Sequence, residues 1–262
     1  MNNQAIGIFD SGIGGTSIWQ EIAIALPYEN TIYLADSKYA PYGKRSADEI
    51  IKLSIRNTEK LIDFDCKIVV VACNTATTNA IKVLRERFRI PFIGIEPAIK
   101  PAALQTKTHK IGILATQGTL SSELFASTSD LYTDTTEIIE VVGTGLVELI
   151  EDGKIHTPEM LSLLTSHLQP MIKKDIDHLV LGCSHYPYLL PVLKKILPKN
   201  IQIIDSGEAV AKQTKVILSK NNLLNTNTHE GTHTFYTNKT LAILEGILKN
   251  STTTVNINYL KY

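Results

Sequence analysis

The sequence predicts an α/β fold made of two similar lobes, each with a largely parallel sheet flanked by helices. Strand-like apolar runs alternate with helical patterns along the 262 residues, and this alternation is typical of parallel α/β sheets. The second half also repeats the strand pattern of the first half, which indicates an internal duplication. Two lobes related by a pseudo-twofold axis would place an active site in the cleft between them.

Four strand-like runs in the first half alternate with helical patterns. The predicted strands are Ile6–Phe9, Thr31–Ala35, Ile68–Ala72 and Phe92–Ile95. After the first strand, Ile18, Ile22 and Leu26 recur at helical spacing, and the pattern stops at a proline. Ser46 and Glu49 have the spacing of a capping box, so we expect them to open another helix.

Three strand patterns of the second half match strands of the first half at a nearly constant offset. They are Ile111–Leu114, Leu179–Gly182 and Ile203–Asp205, at offsets of 105, 110 and 110 residues. A further strand-like run, Thr234–Tyr236, lies in a tail that we expect to pack back on the first lobe. The repeat predicts a first lobe of residues 1–96 and 207–262 and a second lobe of residues 97–206.

The charge and the apolar content exclude several classes of protein. The 26 basic and 26 acidic side chains cancel, so no general attraction to nucleic acid or to an acidic membrane is expected. No uncharged apolar run reaches the roughly 18 residues that a membrane span needs. The first residues show no signal-peptide pattern. We therefore expect a cytoplasmic protein with a small-molecule partner, and neither nucleic acid nor a membrane as a partner.

Two of the three cysteines stand at equivalent points of the repeat. Cys73 and Cys183 each follow a predicted strand and precede a helix, where unpaired N–H groups lower the pKa of a thiol. Ligands bind at this carboxyl end of parallel strands, so the two thiols are expected to face one cleft. The alternative is that both are small core residues, and Cys66 keeps that interpretation.

Two polar segments of the first lobe also follow predicted strands. In Asp10–Gly15 the glycines allow close backbone approach, and the N–H groups could hold an anion. The segment matches neither a P-loop nor a dinucleotide fingerprint, so a small carboxylate fits it better than a nucleotide. The alternative is a tight turn capped by Asp10. The loop Tyr39–Ser46 is dense in hydrogen-bonding groups, although by itself it is only a turn.

His185 lies two residues after Cys183, where an acid–base partner for a thiol would be useful. The alternative is a structural histidine. Cys73, Cys183 and His185 could also be interpreted as zinc ligands, but their spacing matches no known zinc pattern and no fourth ligand is evident. We expect no metal.

At these motifs the sequence resembles the glutamate racemase branch of the aspartate/glutamate racemase superfamily. The resemblance extends in order from residue 7 to about residue 207. The motifs that carry it are Asp10-Ser11-Gly12 with Gly14-Gly15, Pro41-Tyr42-Gly43, Cys73-Asn74-Thr75-Ala76-Thr77 and Gly182-Cys183-Ser184-His185-Tyr186-Pro187. One departure is Ser184, where the family usually has threonine. Serine keeps the hydroxyl, so we expect its substrate contact to survive.

The resemblance implies a cofactor-independent interconversion of L- and D-glutamate that supplies D-glutamate for peptidoglycan, by an enzyme that is often a homodimer. It implies that Cys73 and Cys183 are the catalytic thiols, assisted by Asp10 and His185 respectively. Glu151 fits a further catalytic glutamate by a loose match, and the alternative is a solvated carboxylate. The implied substrate-binding residues are Asp10, Ser11, Pro41, Tyr42, Gly43, Asn74, Thr75, Ser184 and His185.

Racemisation needs two acid–base groups on opposite faces of a carbon, and a thiolate and a thiol can exchange these roles. The motif spellings favour glutamate over aspartate or a broader specificity, and the presence of both cysteines disfavours a single-thiol decarboxylase. Two alternatives belong to other classes. A two-lobed binding protein would bind an amino acid without exchanging its Cα proton, and a redox sensor would form a disulfide between its thiols.

Overall fold

Two parallel sheets form the framework of the protein in a computed structural model that describes residues 3–226, 229–249, 251 and 253–262. The strands are β1 (Ile6–Asp10), β2 (Thr31–Ala35), β3 (Ile68–Val71), β4 (Phe92–Gly94), β5 (Lys110–Ala115), β6 (Glu137–Val142), β7 (His178–Gly182), β8 (Gln202–Ile204), β9 (His233–Thr237) and β10 (Val255–Tyr259). The central strands β1, β3 and β7 are buried throughout, which explains their uninterrupted apolar sequences.

Helices connect these strands and cover both sheets. They are α1 (Thr16–Ala25), α2 (Ala47–Asp63), α3 (Asn74–Arg87), α4 (Ile99–Gln105), α5 (Gln117–Leu120), α6 (Glu123–Asp130), α7 (Leu146–Glu151), α8 (Pro158–Lys173), α9 (Leu190–Ile196), α10 (Gly207–Lys220) and α11 (Ala242–Leu248). Within the ranges that the structure describes, no helix combines the length and the apolar character needed to cross a membrane.

Four neighbouring strands of the first sheet have the same order as the four strands of the second sheet. The first sheet runs β10-β9-β2-β1-β3-β4 and the second runs β6-β5-β7-β8, with every neighbouring pair parallel. The order β2-β1-β3-β4 is therefore repeated as β6-β5-β7-β8. This repetition confirms the predicted pair of similar α/β lobes, called below the first lobe and the second lobe after their sheets.

Two strands have no counterpart among the sequence predictions. These are β6 and β10, and each is the outermost strand of its sheet. Their side chains are half-buried or exposed, unlike those of the central strands. An edge strand contributes less to the core, so its sequence carries a weaker apolar signal.

The tail of the chain adds two strands to the first sheet. β9 pairs with β2, β10 pairs with β9, and α10 packs against α1. In the core beneath them, the Trp19 ring packs edge-on against Phe235 at 4.8 Å between centroids. The residue ranges predicted for the two lobes stay a prediction, and residues 1, 2, 227, 228, 250 and 252 of that predicted first lobe lie outside the described residues.

The capping box predicted at the start of α2 is confirmed. The Ser46 hydroxyl accepts the backbone N–H of Glu49 at 3.3 Å, and the Glu49 carboxylate accepts the backbone N–H of Ser46 at 3.2 Å. Each bond satisfies an N–H group that a helix start would otherwise leave without a partner. This box fixes the point where the preceding loop, which bears the Pro41-Tyr42-Gly43 motif, joins α2.

We expect the substitution Ser46→Ala to lower the free energy of unfolding by about 1 kcal/mol, because the helix start loses its side-chain acceptor. Urea denaturation followed by circular dichroism measures the change. Ser166→Ala on α8 is the matched control, because this exposed serine lies inside a helix and caps no terminus. An equal loss in both variants would contradict the assignment to the cap.

Candidate active site

The two predicted thiols lie at equivalent ends of the two sheets. Cys73 follows β3 and is the N-cap residue of α3, where its Sγ accepts the N–H of Ala76 at 3.4 Å. Cys183 follows β7, but the next element is a 3-10 turn over Tyr186–Leu189. The α-helix N-terminus predicted at both thiols is therefore present only at Cys73.

Burial dominates the ionisation of Cys73, whose side chain is almost fully enclosed. Desolvation and, secondly, the charge of Asp10 raise the pKa of this thiol well above its ordinary range. Hydrogen bonds with Ala76 and with the Ser11 hydroxyl act in the opposite direction but do not compensate. The N–H group at the helix terminus thus lowers the pKa of Cys73 as expected, but burial outweighs it and the net shift is upward, which favours the neutral thiol.

On the second lobe, three buried side chains form a chain of contacts. The Cys183 Sγ lies 3.8 Å from His185 Nδ1, and His185 Nε2 lies 2.6 Å from Glu151 Oε1. Glu151 ends α7 and is only 8% exposed. This burial excludes the alternative of a solvated carboxylate and brings Glu151 to the thiol through His185.

The imidazole of His185 favours its protonated form. Burial by itself disfavours the charged ring, but hydrogen bonds with Cys183 and Glu151 raise the pKa of His185 well above its ordinary value. The surroundings of the two thiols are therefore unlike: Cys183 has a cationic neighbour, whereas Cys73 has the carboxyl group of Asp10.

The glycine-rich turn after β1 does hold a carboxylate, but this carboxylate belongs to Glu151. The backbone N–H of Ile13 donates to Glu151 Oε1 at 2.7 Å. A Cβ atom at Gly12 would overlap the Glu151 carboxylate, and one at Gly14 would overlap the His185 ring. The absence of side chains there lets the second lobe insert both groups against the turn, so a substrate carboxylate could bind Ile13 only by displacing Glu151.

Asp10 connects the lobes on the other side of the same turn. Its Oδ1 accepts the Ser184 hydroxyl at 2.9 Å, and its Oδ2 accepts the Gly12 N–H at 2.9 Å. Burial raises the pKa of Asp10, with His185 and both hydrogen bonds acting against that rise. The serine at position 184 thus keeps a hydroxyl contact within the site.

Threonines of both lobes meet beside Cys73. The Thr75 hydroxyl lies 2.7 Å from that of Thr116 and 3.2 Å from that of Thr119, which belong to the second lobe. Sequence reasoning missed Thr116 and Thr119, although Thr116 directly follows β5 just as Asp10 closes the matching strand β1. The neighbouring Asn74 is buried, and within the described part of the chain neither its Oδ1 nor its Nδ2 has a hydrogen-bond partner.

The Pro41-Tyr42-Gly43 segment lies at the edge of the site, and its residues face in two directions. The Tyr42 side chain points into the first lobe, where its hydroxyl donates a short hydrogen bond to Asp36. Gly43 instead faces the second lobe, because a Cβ atom there would lie 2.7 Å from that of Thr116. Pro41, Gly43 and Thr116 border a cavity of about 50 Å³. The segment therefore meets the cleft through Pro41 and Gly43, while the ring of Tyr42 anchors it.

All three cysteines are free thiols. Among the described residues, no group of three or more histidine, cysteine or acidic side chains is arranged to hold a metal ion. Each lobe instead supplies one buried thiol to a shared polar site, and the two are close enough for a charge on Cys183 to act on Cys73. The fold and the site define a class of two-lobed α/β proteins with paired thiols, an arrangement suited to acid–base chemistry at a carbon atom.

Comparison with known proteins gives the same class. Residues 18–214 match the family described as Asp/Glu/hydantoin racemase. A glutamate racemase of Herpetosiphon aurantiacus is 42% identical over 231 residues, covering 88% of this chain and 91% of that protein. This chain belongs to the Asp/Glu/hydantoin racemase family.

Two solved structures of glutamate racemases share the whole fold. The Escherichia coli enzyme in complex with L-glutamate and the activator UDP-MurNAc-Ala has a TM-score of 0.86 and 30% identity, covering 98% of each chain. The Francisella tularensis enzyme in complex with D-glutamate has a TM-score of 0.85 and 28% identity, covering 100% of this chain and 98% of that one. These matches confirm the predicted two-lobed α/β fold.

We expect Gly14→Ala to lower kcat by roughly 100-fold or more, because the new methyl group displaces the His185 ring from Cys183. Steady-state racemisation assays measure the loss. Gly246→Ala on α11 is the matched control, since a Cβ atom there would meet no atom of the described residues within 4 Å. Equal activity of the two variants would contradict the packing of His185 against the turn.

We expect Glu151→Gln to lower the pKa of His185, because the ring loses a negatively charged hydrogen-bond partner. A histidine pKa raised by folding contributes stability that is complete below the unfolded value and is lost as the pH rises towards the folded value. The variant should therefore melt below the wild type by the widest margin near pH 6, roughly the ordinary histidine range. Thermal unfolding between pH 6 and pH 9 tests this, and a constant difference would contradict it.

Proposed function

We propose that this protein, an amino-acid racemase by family, interconverts L- and D-glutamate by passing the Cα proton between Cys73 and Cys183. The observation that carries the proposal is the pair of buried thiols at equivalent strand ends of two facing lobes. Two-face proton exchange needs one such group on each side of the carbon. The relatives with bound L-glutamate and D-glutamate support glutamate as the substrate.

In one direction, the Cys183 thiolate takes the Cα proton and becomes a thiol. The electron pair of the broken C–H bond moves into the α-carboxylate, giving an enediolate. The Cys73 thiol then delivers its own proton to the opposite face of Cα and is left as the thiolate. In the reverse direction the two sulfurs exchange roles, so each turnover leaves the total number of protons on the pair unchanged.

The electrostatics of the free site favour this starting arrangement. Burial raises the pKa of Cys73 and so favours its neutral thiol, and the raised pKa of His185 favours a cationic ring beside Cys183. Glu151 holds the ring in place from its other nitrogen. We assign Glu151 and His185 to the support of Cys183, and Asp10 to the side of Cys73, where its charge acts on the thiol.

The remaining polar groups have the chemistry needed to hold a glutamate molecule. Asn74 offers a donor and an acceptor that have no partner in the closed site. Ser11, Thr75 and Ser184 add hydroxyl groups beside the thiols. We include Thr116 and Thr119 in this set because they hydrogen-bond Thr75 across the cleft. Both sulfurs are buried, so the lobes must separate before the substrate can enter.

Fixed polar groups are needed because the reaction is difficult. A turnover near the enzyme median of about 10 per second corresponds to a barrier of roughly 16 kcal/mol. A thiol alone is too weak a base to reach this value with a Cα proton. Donors that face the developing enediolate from a water-excluded site supply the additional stabilisation.

The product D-glutamate would serve peptidoglycan synthesis. Independence of a cofactor, a cytoplasmic location and a homodimer stay predictions. Aspartate is the alternative substrate. The relatives favour glutamate, because a glutamate racemase matches 88% of this chain at 42% identity. A match to the Picrophilus torridus aspartate racemase, at 17% identity and a TM-score of 0.55, shows a shared fold alone.

We expect the purified protein, with no added cofactor, to exchange the Cα proton of L-glutamate for deuterium in heavy water. Proton NMR follows the loss of the Cα–H signal, and chiral chromatography detects D-glutamate. Aspartate is assayed in parallel as the alternative substrate. A Cα–H signal that persists with L-glutamate, D-glutamate and aspartate would overturn the proposal in favour of a binding protein.

We expect Cys73→Ala and Cys183→Ala each to lower racemisation by roughly 10³-fold or more, since either substitution removes the acid–base group of one face. Cys66→Ala is the matched control, because Cys66 is also a buried free thiol but contacts Gly7 and Leu61 rather than the site. Its activity should stay within about twofold of the wild type. Similar activity in all three variants would contradict the two-thiol mechanism.

A further inference from the structure

The loop between β2 and α2 forms the first lobe's rim of the cleft. It carries Gly43, which packs against Thr116, and Lys44, which forms an ion pair with Glu148 of the second lobe. The small cavity between these groups is also bordered by Gly143. Thr116 also lies 2.7 Å from the Thr75 hydroxyl beside Cys73, so a group that fixes this loop fixes a direct neighbour of the proposed glutamate site.

Asp36 is a completely buried carboxylate at the start of this loop. Its Oδ2 accepts the short hydrogen bond from the Tyr42 hydroxyl, and Arg56 Nη2 lies 2.7 Å from both of its oxygens. Asn57 Nδ2 donates to the Tyr42 hydroxyl at 3.0 Å. A buried carboxylate is costly unless it is paired and hydrogen-bonded, and one of the partners here is Tyr42, which anchors the loop between β2 and α2.

Asn238, which follows β9, ties the same carboxylate to the loop backbone. Its Nδ2 donates to Asp36 Oδ1 at 2.5 Å, while its Oδ1 accepts the backbone N–H of Lys38 at 2.8 Å. One amide side chain thus holds both the carboxylate and the first turn of the loop. This arrangement leaves the loop little freedom to shift relative to the sheet.

Aromatic rings hold the cationic partner of Asp36. The guanidinium carbon of Arg56 lies 4.5 Å from the ring centroid of Tyr39 and 5.2 Å from that of Tyr262. Tyr39 belongs to the loop between β2 and α2, so Arg56 contacts this loop through the Tyr39 ring as well as through Asp36. The ion pair with Asp36 and the contact with the Tyr39 ring therefore both hold the segment from residue 36 to residue 43.

We propose that Asp36 is a positioning residue for the substrate, which holds the Pro41-Tyr42-Gly43 segment in its binding geometry through the Tyr42 hydroxyl. This inference rests on the proposed function, because it gives the loop a role in binding glutamate. The Asp36 backbone N–H donates to the Asp10 carbonyl at 3.0 Å, a bond that Asp36→Asn retains. The Asp36 carboxylate contacts neither thiol. Its effect reaches the cleft through Tyr42 and the backbone of Gly43.

The test compares Asp36→Asn and Tyr42→Phe with the wild type in steady-state racemisation of L-glutamate and of D-glutamate. Both variants loosen the loop without altering a thiol. Each variant weakens or loses a hydrogen bond between Tyr42 and a charged carboxylate, so we expect KM to rise about tenfold. We expect kcat to stay within about twofold of the wild type. Tyr42→Phe removes only the hydroxyl. If Asp36→Asn does not fold, the KM of Tyr42→Phe therefore tests by itself whether the Asp36–Tyr42 hydrogen bond affects substrate binding.

Asp177→Asn is the matched control for a general loss of stability. Asp177 is also buried and accepts hydrogen bonds from Thr106, Lys107 and Thr108, but it lies at the amino-terminal end of β7, opposite the thiols. This variant should melt at a lower temperature than the wild type, with unchanged KM and kcat.

Four outcomes are distinct. A raised KM in the Asp36 and Tyr42 variants, with the control unaffected, supports the inference. Variants that melt lower but keep the wild-type KM would show a purely structural role and overturn it, and so would a fall in kcat at constant KM. A wild type that does not exchange the Cα proton would instead defeat the proposed function on which the inference rests.

Discussion

Three pairs of polar groups buried at the facing sheet ends are hydrogen-bonded across the cleft, and this constraint shapes the rest of the site. Glu151 accepts the N–H of Ile13, Ser184 donates to Asp10, and Thr75 lies within hydrogen-bonding distance of Thr116. Each pair joins one lobe to the other. Because an unpartnered buried polar group is costly, these three contacts stabilise the two lobes in the arrangement that the structure shows.

The same burial sets the chemistry of the two thiols. Burial raises the pKa of Cys73, and at His185 the hydrogen bonds with Cys183 and Glu151 raise the pKa of the ring against the effect of burial. A pair of identical side chains at equivalent repeat positions thus acquires different surroundings. The duplication provides symmetric positions for the sulfurs, and their neighbours make the closed site electrostatically asymmetric.

The local features of the fold were largely predictable. The central strands, the helix after Cys73 and the capping box of Ser46 and Glu49 depend on residues within a few positions of one another. The edge strands β6 and β10 were not predicted, because half-exposed side chains leave no continuous apolar run. Thr116 and Thr119 were also missed, since a threonine after a strand becomes informative only when its partner across the cleft is known.

The sequence by itself determined the two-lobed α/β fold, the repeat and the positions of both thiols at strand ends, because periodicity and motif spacing are local properties. Only the tertiary structure decided which carboxylate occupies the glycine turn, since Glu151 and Ile13 are 138 residues apart. It also decided that the Tyr42 hydroxyl faces Asp36 and that burial outweighs the helix terminus at Cys73. Desolvation and long-range contacts exist only once the lobes have packed, so no local pattern encodes them.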